Sequence, residues 1–148
     1  MEPSGPWDRE RVDEFLTDAR VPVRLGCRTP ADHPWIVSLW FSWDGALHCA
    51  TSAEADLVRF LAHDDHVSFE VSTNDPPYKG VRGRGRATVS PDAEKELLSA
   101  LLERYLGGVD NPTADRLLSP EREEVRIRIE PERLHTWDYS KRMGPVDR

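Results

Sequence analysis

Three groups of residues have types and spacings from which chemistry could be assembled, and all three point to an anion held near an aromatic surface. Ala50-Thr51-Ser52 leads into a helical segment, so two hydroxyls stand where free backbone amides and the positive end of a helix dipole favour a phosphate. Arg59 lies two turns further on and reaches the same anion if its side chain folds back; the plain alternative is that Thr51 only caps the helix and Arg59 only solvates its outer face. The second group is Lys79-Gly80-Val81-Arg82-Gly83-Arg84-Gly85-Arg86-Ala87. As a strand it places Arg82, Arg84 and Arg86 on one face and Gly83, Gly85 and Ala87 on the other. Glycine is costly inside a strand unless something must approach the backbone closely, and a flat ring or a neighbouring subunit's strand would do so; the alternative is a solvated basic face beside acidic neighbours. This spacing is not a dinucleotide fingerprint, which has to link a strand to a helix. The third group is Trp35, Trp40, Trp43 and Trp137, most of which belong to a core or an interface.

Other arrangements offer less. His63-Asp64-Asp65-His66 has metal-ligating types, but four side chains of one helix-to-strand turn point in different directions, so a solvated turn is expected and no metal site. No Ser, Cys or His stands in a nucleophile arrangement. No catalytic residue is therefore assigned, and any reaction would be carried by a cofactor.

The elements that must position these residues are mostly strands. Val12, Phe15, Leu16 and Ala19 recur at helical spacing between Asp8 and Ala19, which predicts a first helix able to cover one end of a sheet. Val21 to Gly26 reads as a short strand and Arg28 to His33 as a turn. Trp35 to Trp43 is the strongest strand, with Trp35, Val37, Leu39, Phe41 and Trp43 on one face and Ile36, Ser38, Trp40 and Ser42 on the other. Neither face can be left wholly in water, so one should fill a core and the other meet a ligand or partner. Asp44-Gly45 predicts a two-residue hairpin turn, with Ala46 to Ala50 running back.

Thr51-Ser52-Ala53-Glu54 has the form of a capping box opening a second helix that runs to about Ala62. His66 to Ser72 and Val81 to Val89 follow as strands, separated by the loop Thr73 to Gly80. Ser90-Pro91 reads as the start of a third helix with Leu97, Leu98, Leu101, Leu102 and Tyr105 as its apolar stripe, stopped by Gly107-Gly108. After a polar connection through Pro112 and Pro120, Val125 to Ile129 and Leu134 to Tyr139 are the last strands. The pattern is mainly β with peripheral helices, and favours an antiparallel barrel of six to seven strands over a parallel doubly wound sheet.

Composition bounds the rest. A chain of 148 residues is the length of one domain and can bury one substantial core, so residues 1–148 are read as a single domain. No segment is apolar for long enough to cross a bilayer, and Met1 to Trp7 lacks the features of a secretory signal; a cytoplasmic protein with no membrane partner is expected. Cys27 and Cys49 form neither a metal knuckle nor a disulfide framework and read as small core hydrophobes. The formal net charge of −7 argues against nucleic acid as the partner. Single-strand binding through Arg82, Arg84 and Arg86 would need that handicap overcome. Only Lys79, Lys95 and Lys141 among the 20 basic residues are lysine, a balance found in proteins of salty cytoplasms and in GC-rich genomes. The salt reading predicts greater stability in molar salt, where like charges are screened.

The order of motifs resembles the pyridoxamine 5'-phosphate oxidase-like flavoproteins, the FMN-binding split barrels. The matching stretches are Val23 to Gly26, Pro34 to Trp43 with Asp44-Gly45, Ala50-Thr51-Ser52 with Val58-Arg59-Phe60-Leu61, Asp65-His66-Val67-Ser68, Tyr78-Lys79-Gly80-Val81 with Gly83 and Gly85, and Trp137-Asp138-Tyr139-Ser140-Lys141-Arg142. The resemblance covers about residues 8 to 142. It implies a split β-barrel acting as a homodimer, with FMN or a deazaflavin in two clefts between the subunits, and a flavin-dependent oxidoreductase working on a small-molecule substrate. By the same resemblance Ser38, Leu39 and Trp40 line the ring, Thr51, Ser52 and Arg59 match the phosphate-binding positions, and Lys79, Arg82 and Trp137 close the cleft. Relatives often carry a basic residue where Leu57 stands here. That departure motivates the alternative of a non-catalytic protein of this fold that stores or senses a flavin, haem or bilin.

Overall fold

The structure is a computed structural model that describes residues 1–143. Helix α1 (Arg9–Asp18) forms where the apolar spacing predicts it, with Asp8 at its N-cap accepting from the Arg11 amide at 2.9 Å, and it buries Val12, Phe15 and Leu16. The strands are β1 (Val23–Arg28), β2 (Pro34–Leu39), β3 (Ser42–Trp43), β4 (Leu47–Ser52), β5 (His66–Ser72), β6 (Lys79–Pro91) and β7 (Glu124–Asp138). Helix α2 (Asp56–His63) joins β4 to β5, while α3 (Glu96–Leu106) and α4 (Pro112–Leu117) lie between β6 and β7.

All seven strands form one antiparallel sheet in the order β2-β1-β5-β6-β7-β4-β3. The two edge strands β2 and β3 are neighbours in sequence, separated only by Trp40 and Phe41. So short a link spans at most about 11 Å, so the sheet has to curl until its edges meet. The result is a curled, split barrel whose seam lies at Trp40-Phe41. Phe41 turns inward there and is fully buried, joining a core that includes Val23, Leu25, Leu47, Val81, Ile127 and Ile129.

The strongest sequence strand is thus broken in two, and the break is what makes a barrel possible. Trp35, Val37 and Leu39 pack on the core as the alternation predicts, while Ile36 on the other face is 68% exposed. The hairpin after Trp43 has a three-residue loop, since Trp43 pairs with Leu47. Only Gly45 in it takes a positive φ, +106°, and the Asp44 carboxylate accepts from the Ala46 amide at 3.2 Å.

Three further boundaries differ from expectation. Thr51 and Ser52 belong to β4, held by the β7 ladder opposite Val125 and Glu124. Helix α2 begins only at Asp56, with Ala55 at its N-cap and no side-chain cap, so the capping box does not form. Ser90 and Pro91 continue β6 against Arg126 and Val125; the cap of α3 is instead the buried Asp92 carboxylate, which accepts from Leu97 N at 3.4 Å and Leu98 N at 3.1 Å. The two final strands are one, bent where the β6–β7 register slips between Arg84 and Gly85, so that Arg84 faces Arg133 and Gly85 faces Pro131.

Candidate functional site

Curling of the sheet brings the end of β2 to the end of β4, and helices α3 and α4 lie over the junction. A cleft of about 340 Å³ opens there, lined by Ser38, Leu39, Trp40 and Thr51 together with Arg122 and Glu124 among others. Four of the nine residues picked from the sequence therefore share one hollow. Trp40 is fixed in it by a face-to-face stack on Tyr105 of α3, with ring centroids 5.1 Å apart and planes 8° from parallel. The Tyr105 hydroxyl accepts from Phe41 N at 3.3 Å and donates to the Val21 carbonyl at 3.0 Å, so one phenol pins the barrel seam to the start of β1. Next to it the Arg104 guanidinium donates to the carbonyls of Leu16, Thr17 and Ala19 at the end of α1. Together these two residues lock α3 against the barrel.

Ser52 stands beside Thr51 at the end of β4, half-buried, its Oγ accepting from Glu54 N at 3.2 Å, which leaves the hydroxyl proton free to donate. Arg59 is not in the cleft. It lies exposed on α2, its Nη2 2.9 Å from Asp56 Oδ1 and its guanidinium 4.9 Å from the Phe60 ring. Leu57 is 2% exposed in the core, so a charge there would have no water and no partner.

Lys79, Arg82 and Trp137 form a separate group near the other end of β7. Gly80 pairs with Trp137 and Arg82 with His135, and the Arg82 guanidinium lies 5.5 Å from the Trp137 ring. Thr51, by contrast, pairs with Val125. Val125 and Trp137 are about twelve residues apart, a strand path of roughly 40 Å. One chain thus carries the hydroxyl group of the site at one end of a long strand and the Arg–Trp group near the other.

Between them the outward face of the sheet is cationic. Arg82, Arg84 and Arg133 point outward, Arg84 directly across from Arg133, and no acidic side chain lies within ion-pair distance of these three among the described residues. Like charges placed opposite each other in a sheet destabilise it, and an anion on this face would relieve that. Arg86, in contrast, is held by Asp65 at 2.8 Å. A shallow hollow of about 940 Å³ opens on the same side of the sheet, bordered by Gly26, Ile36 and Arg84.

The glycines of β6 have a different purpose from the one their spacing first implies. A Cβ at Gly83 would sit 2.2 Å from the Arg133 carbonyl oxygen, and one at Gly85 2.1 Å from that of Glu130. The group that approaches the backbone so closely is this chain's own β7, at the bulge, and not a bound ring.

Asp64, Asp65 and His66 cluster; Asp64 accepts from the His66 amide at 3.0 Å, and Asp65 pairs with Arg86 of β6. Both cysteines are free and buried. Burial alone pushes the Cys49 thiol up to about 12, which removes it from nucleophilic chemistry.

Sequence reading missed Arg122 and Glu124. The Glu124 side chain is 1% exposed, with Arg122 Nη2 3.4 Å from its Oε2, and the Arg122 Nε is buried without a hydrogen-bond partner. Nothing in the local pattern marks them, because Glu124 falls on the outward face of β7 and is buried only by the helices lying over that end.

No protein-family model matches the sequence, and no curated relative does. Solved structures do match. A conserved hypothetical protein from Mycobacterium tuberculosis superposes with a TM-score of 0.77 at 24% identity, covering 97% of this chain and 92% of its own. An F420 reductase gives 0.69 at 25% identity, with 82% and 94% covered. A candidate pyridoxamine 5'-phosphate oxidase from Listeria innocua gives 0.65 at 18% identity, with 86% and 95% covered. The chain thus has the fold of the pyridoxamine 5'-phosphate oxidase-like split barrels. No helix among the described residues is long and apolar enough to cross a membrane.

Proposed function

We propose that two copies of this chain bind a phosphate-bearing flavin between them, FMN in the first place, and act as a flavin-dependent oxidoreductase on a small molecule in the cytoplasm. The observation that carries this reading is the division of the site: Ser38, Leu39, Trp40 and Thr51 share the seam cleft, while Arg82 and Trp137 lie together near the far end of β7. Neither group encloses a ligand alone, and a second copy would bring the two together. The similarity to an F420 reductase keeps a deazaflavin as the alternative cofactor.

The residues present fit such a group. A cleft of about 340 Å³ lies within the usual range for small-ligand sites, roughly 300–1,000 Å³. It presents hydroxyls and a rigid tryptophan, and unpaired guanidinium groups line the outer face to meet an anion. When bound, the flavin supplies the hydride acceptor and donor. Thr51 and Ser52 donate to phosphate oxygens, and Arg59 exchanges its exposed pairing with Asp56 for the same anion. Trp40, held by Tyr105, gives the ring a flat wall and excludes water from it. Lys79, Arg82 and Trp137 of the second copy cover the open side.

The test is an absorption spectrum of freshly purified protein, followed by FMN titration and melting with and without FMN. Flavin absorbance, or a rise in melting temperature on FMN addition, supports the proposal; colourless protein that FMN does not stabilise overturns it. Bound flavin that neither nicotinamide nucleotides nor other donors reduce assigns the chain to storage or sensing instead.

A further inference from the structure

Arg122 lines the seam cleft with most of its hydrogen-bonding capacity unspent. A guanidinium carries five N–H donors. Among the described residues Arg122 uses one of them, from Nη2 to Glu124 Oε2 at 3.4 Å, a long contact where a charge-assisted bond ordinarily falls near 2.7–2.9 Å. Its Nε is buried without a partner, and a buried donor left unpaired is costly. A side chain held in this way has capacity for an acceptor that the chain itself does not supply.

Arg116 of α4 lines the same cleft, as do the hydroxyl-bearing Thr51 and Thr113. It is exposed, and no acidic side chain lies within ion-pair distance of it among the described residues. Both arginines also border an outer hollow of about 650 Å³ with Asp115 and Glu121. Those two acids are exposed and do not line the cleft, so water and salt screen them. Within the cleft lining, two guanidinium groups stand against the single carboxylate of Glu124, which leaves it cationic. The position of this charge is set by the β4–β7 ladder. Ser52 pairs with Glu124, and one step further Ala53 N donates to the Glu123 carbonyl at 2.8 Å, which carries Arg122 to the turn after Ser52. The arginines therefore gather at the hydroxyl end of the cleft.

We infer that Arg122, assisted by Arg116, binds the phosphate monoester of the ring ligand and supplies the second cationic contact that the core position of Leu57 cannot. The inference rests on the flavin reading above, which gives the phosphate to Thr51, Ser52 and Arg59. Arg59 has to leave Asp56 to reach the anion, whereas Arg122 already lines the cleft, and its planar fork suits two phosphate oxygens at once. Glu124 is a positioning residue here: its carboxylate holds the guanidinium through Nη2, while its charge opposes the phosphate and keeps affinity below what Arg122 alone would give.

The experiment measures dissociation constants of FMN and riboflavin by flavin fluorescence. The two share one ring, so their ratio isolates the phosphate. The native chain should prefer FMN by at least about tenfold, the worth of a charge-assisted hydrogen bond. Arg122→Gln should cut that preference by about tenfold. Because that variant leaves Glu124 buried and unpaired, the double variant Arg122→Gln with Glu124→Gln, whose amides can bond each other, should show the same loss in a folded protein. Arg116→Gln, an exposed change, should lower the preference about two- to fivefold. Glu124→Gln alone still accepts from Arg122 but removes the opposing charge, and should raise the preference; a purely structural ion pair would leave it unmoved. An FMN preference that is unchanged in the double variant and in Arg116→Gln would overturn the inference while leaving the phosphate to Thr51, Ser52 and Arg59. Equal native affinity for FMN and riboflavin would overturn it while leaving flavin binding intact. Absence of binding of either flavin would overturn the parent reading and this one with it.

Discussion

Replacing Gly83 or Gly85 by alanine separates two accounts of the glycine-rich strand, because the structure assigns their missing side chains to the packing of β6 on β7. The added Cβ would stand 2.2 Å from the Arg133 carbonyl oxygen and 2.7 Å from Phe69 Cζ in the first case, and 2.1 Å from the Glu130 carbonyl oxygen in the second, where ordinary contact begins near 3.4 Å. More than an ångström has to be recovered against backbone that is itself hydrogen-bonded in the ladder. Overpacking of this kind costs about 1–3 kcal/mol and at times more, and backbone contacts belong at the upper end. Restricting the unfolded chain returns about 0.4–1 kcal/mol. The net loss is then about 2 kcal/mol or more, or roughly 4–8 °C in melting temperature for a domain of this size. Gly107→Ala serves as a control: it meets nothing within 4 Å but has a φ of +79°, so its cost is confined to about 1 kcal/mol of backbone strain. Thermal and urea unfolding of the three variants, each also titrated with FMN, decide the matter. A Gly83→Ala or Gly85→Ala protein as stable as the parent but deaf to flavin would refute the reasoning.

Tyr105→Phe deletes the bonds to Phe41 N and the Val21 carbonyl and should cost about 1–3 kcal/mol in urea unfolding, with a change in tryptophan emission as Trp40 loosens. Arg59→Ala removes an exposed pair with Asp56 and an exposed guanidinium contact with the Phe60 ring, so melting should stay within about 2 °C while calorimetry shows weaker FMN binding. The Asp138 carboxyl is raised by burial, but bonds from the Ser140 hydroxyl and amide and from Trp7, with Lys79 nearby, outweigh that and hold it below its ordinary value. A depressed carboxyl stabilises the fold above its unfolded pKa of about 3.9 and ceases to do so as pH falls through the lower folded value. Asp138→Asn should therefore flatten the acid limb of the stability profile below about pH 4, read by melting at stepped pH. The acid-rich, lysine-poor surface predicts a higher melting temperature in molar salt than in dilute buffer, and equal values in both would remove that reading.

Most of the architecture was legible because period and punctuation agree with it. His66 to Ser72 is a strand with the bounds its alternation predicts, and α1 forms between Asp8 and Ala19, where its apolar spacing predicts a helix. Two of the misplaced helix starts share one cause, a local signal overruled by sheet pairing. Thr51-Ser52 and Ser90-Pro91 each look like helix starts, but each lies opposite the first residues of β7 and stays in the ladder. Of the cleft lining, Ser38, Leu39 and Trp40 were named through the family resemblance and Thr51 through its hydroxyl beside a helical segment. Glu124 was not, since its burial comes from α3 and α4, more than a strand's length away in the chain.

The division of the site between two copies is tested most directly by mixing two defective proteins, one carrying Thr51→Val with Ser52→Ala and the other Arg82→Ala with Trp137→Leu. Each alone should bind little FMN. After unfolding and refolding together in equal amounts, half of the dimers carry one copy of each, and each such dimer holds one intact site, so about a quarter of all flavin sites should return. No recovery in the mixture, or full binding by either variant as a monomer, would contradict the shared site.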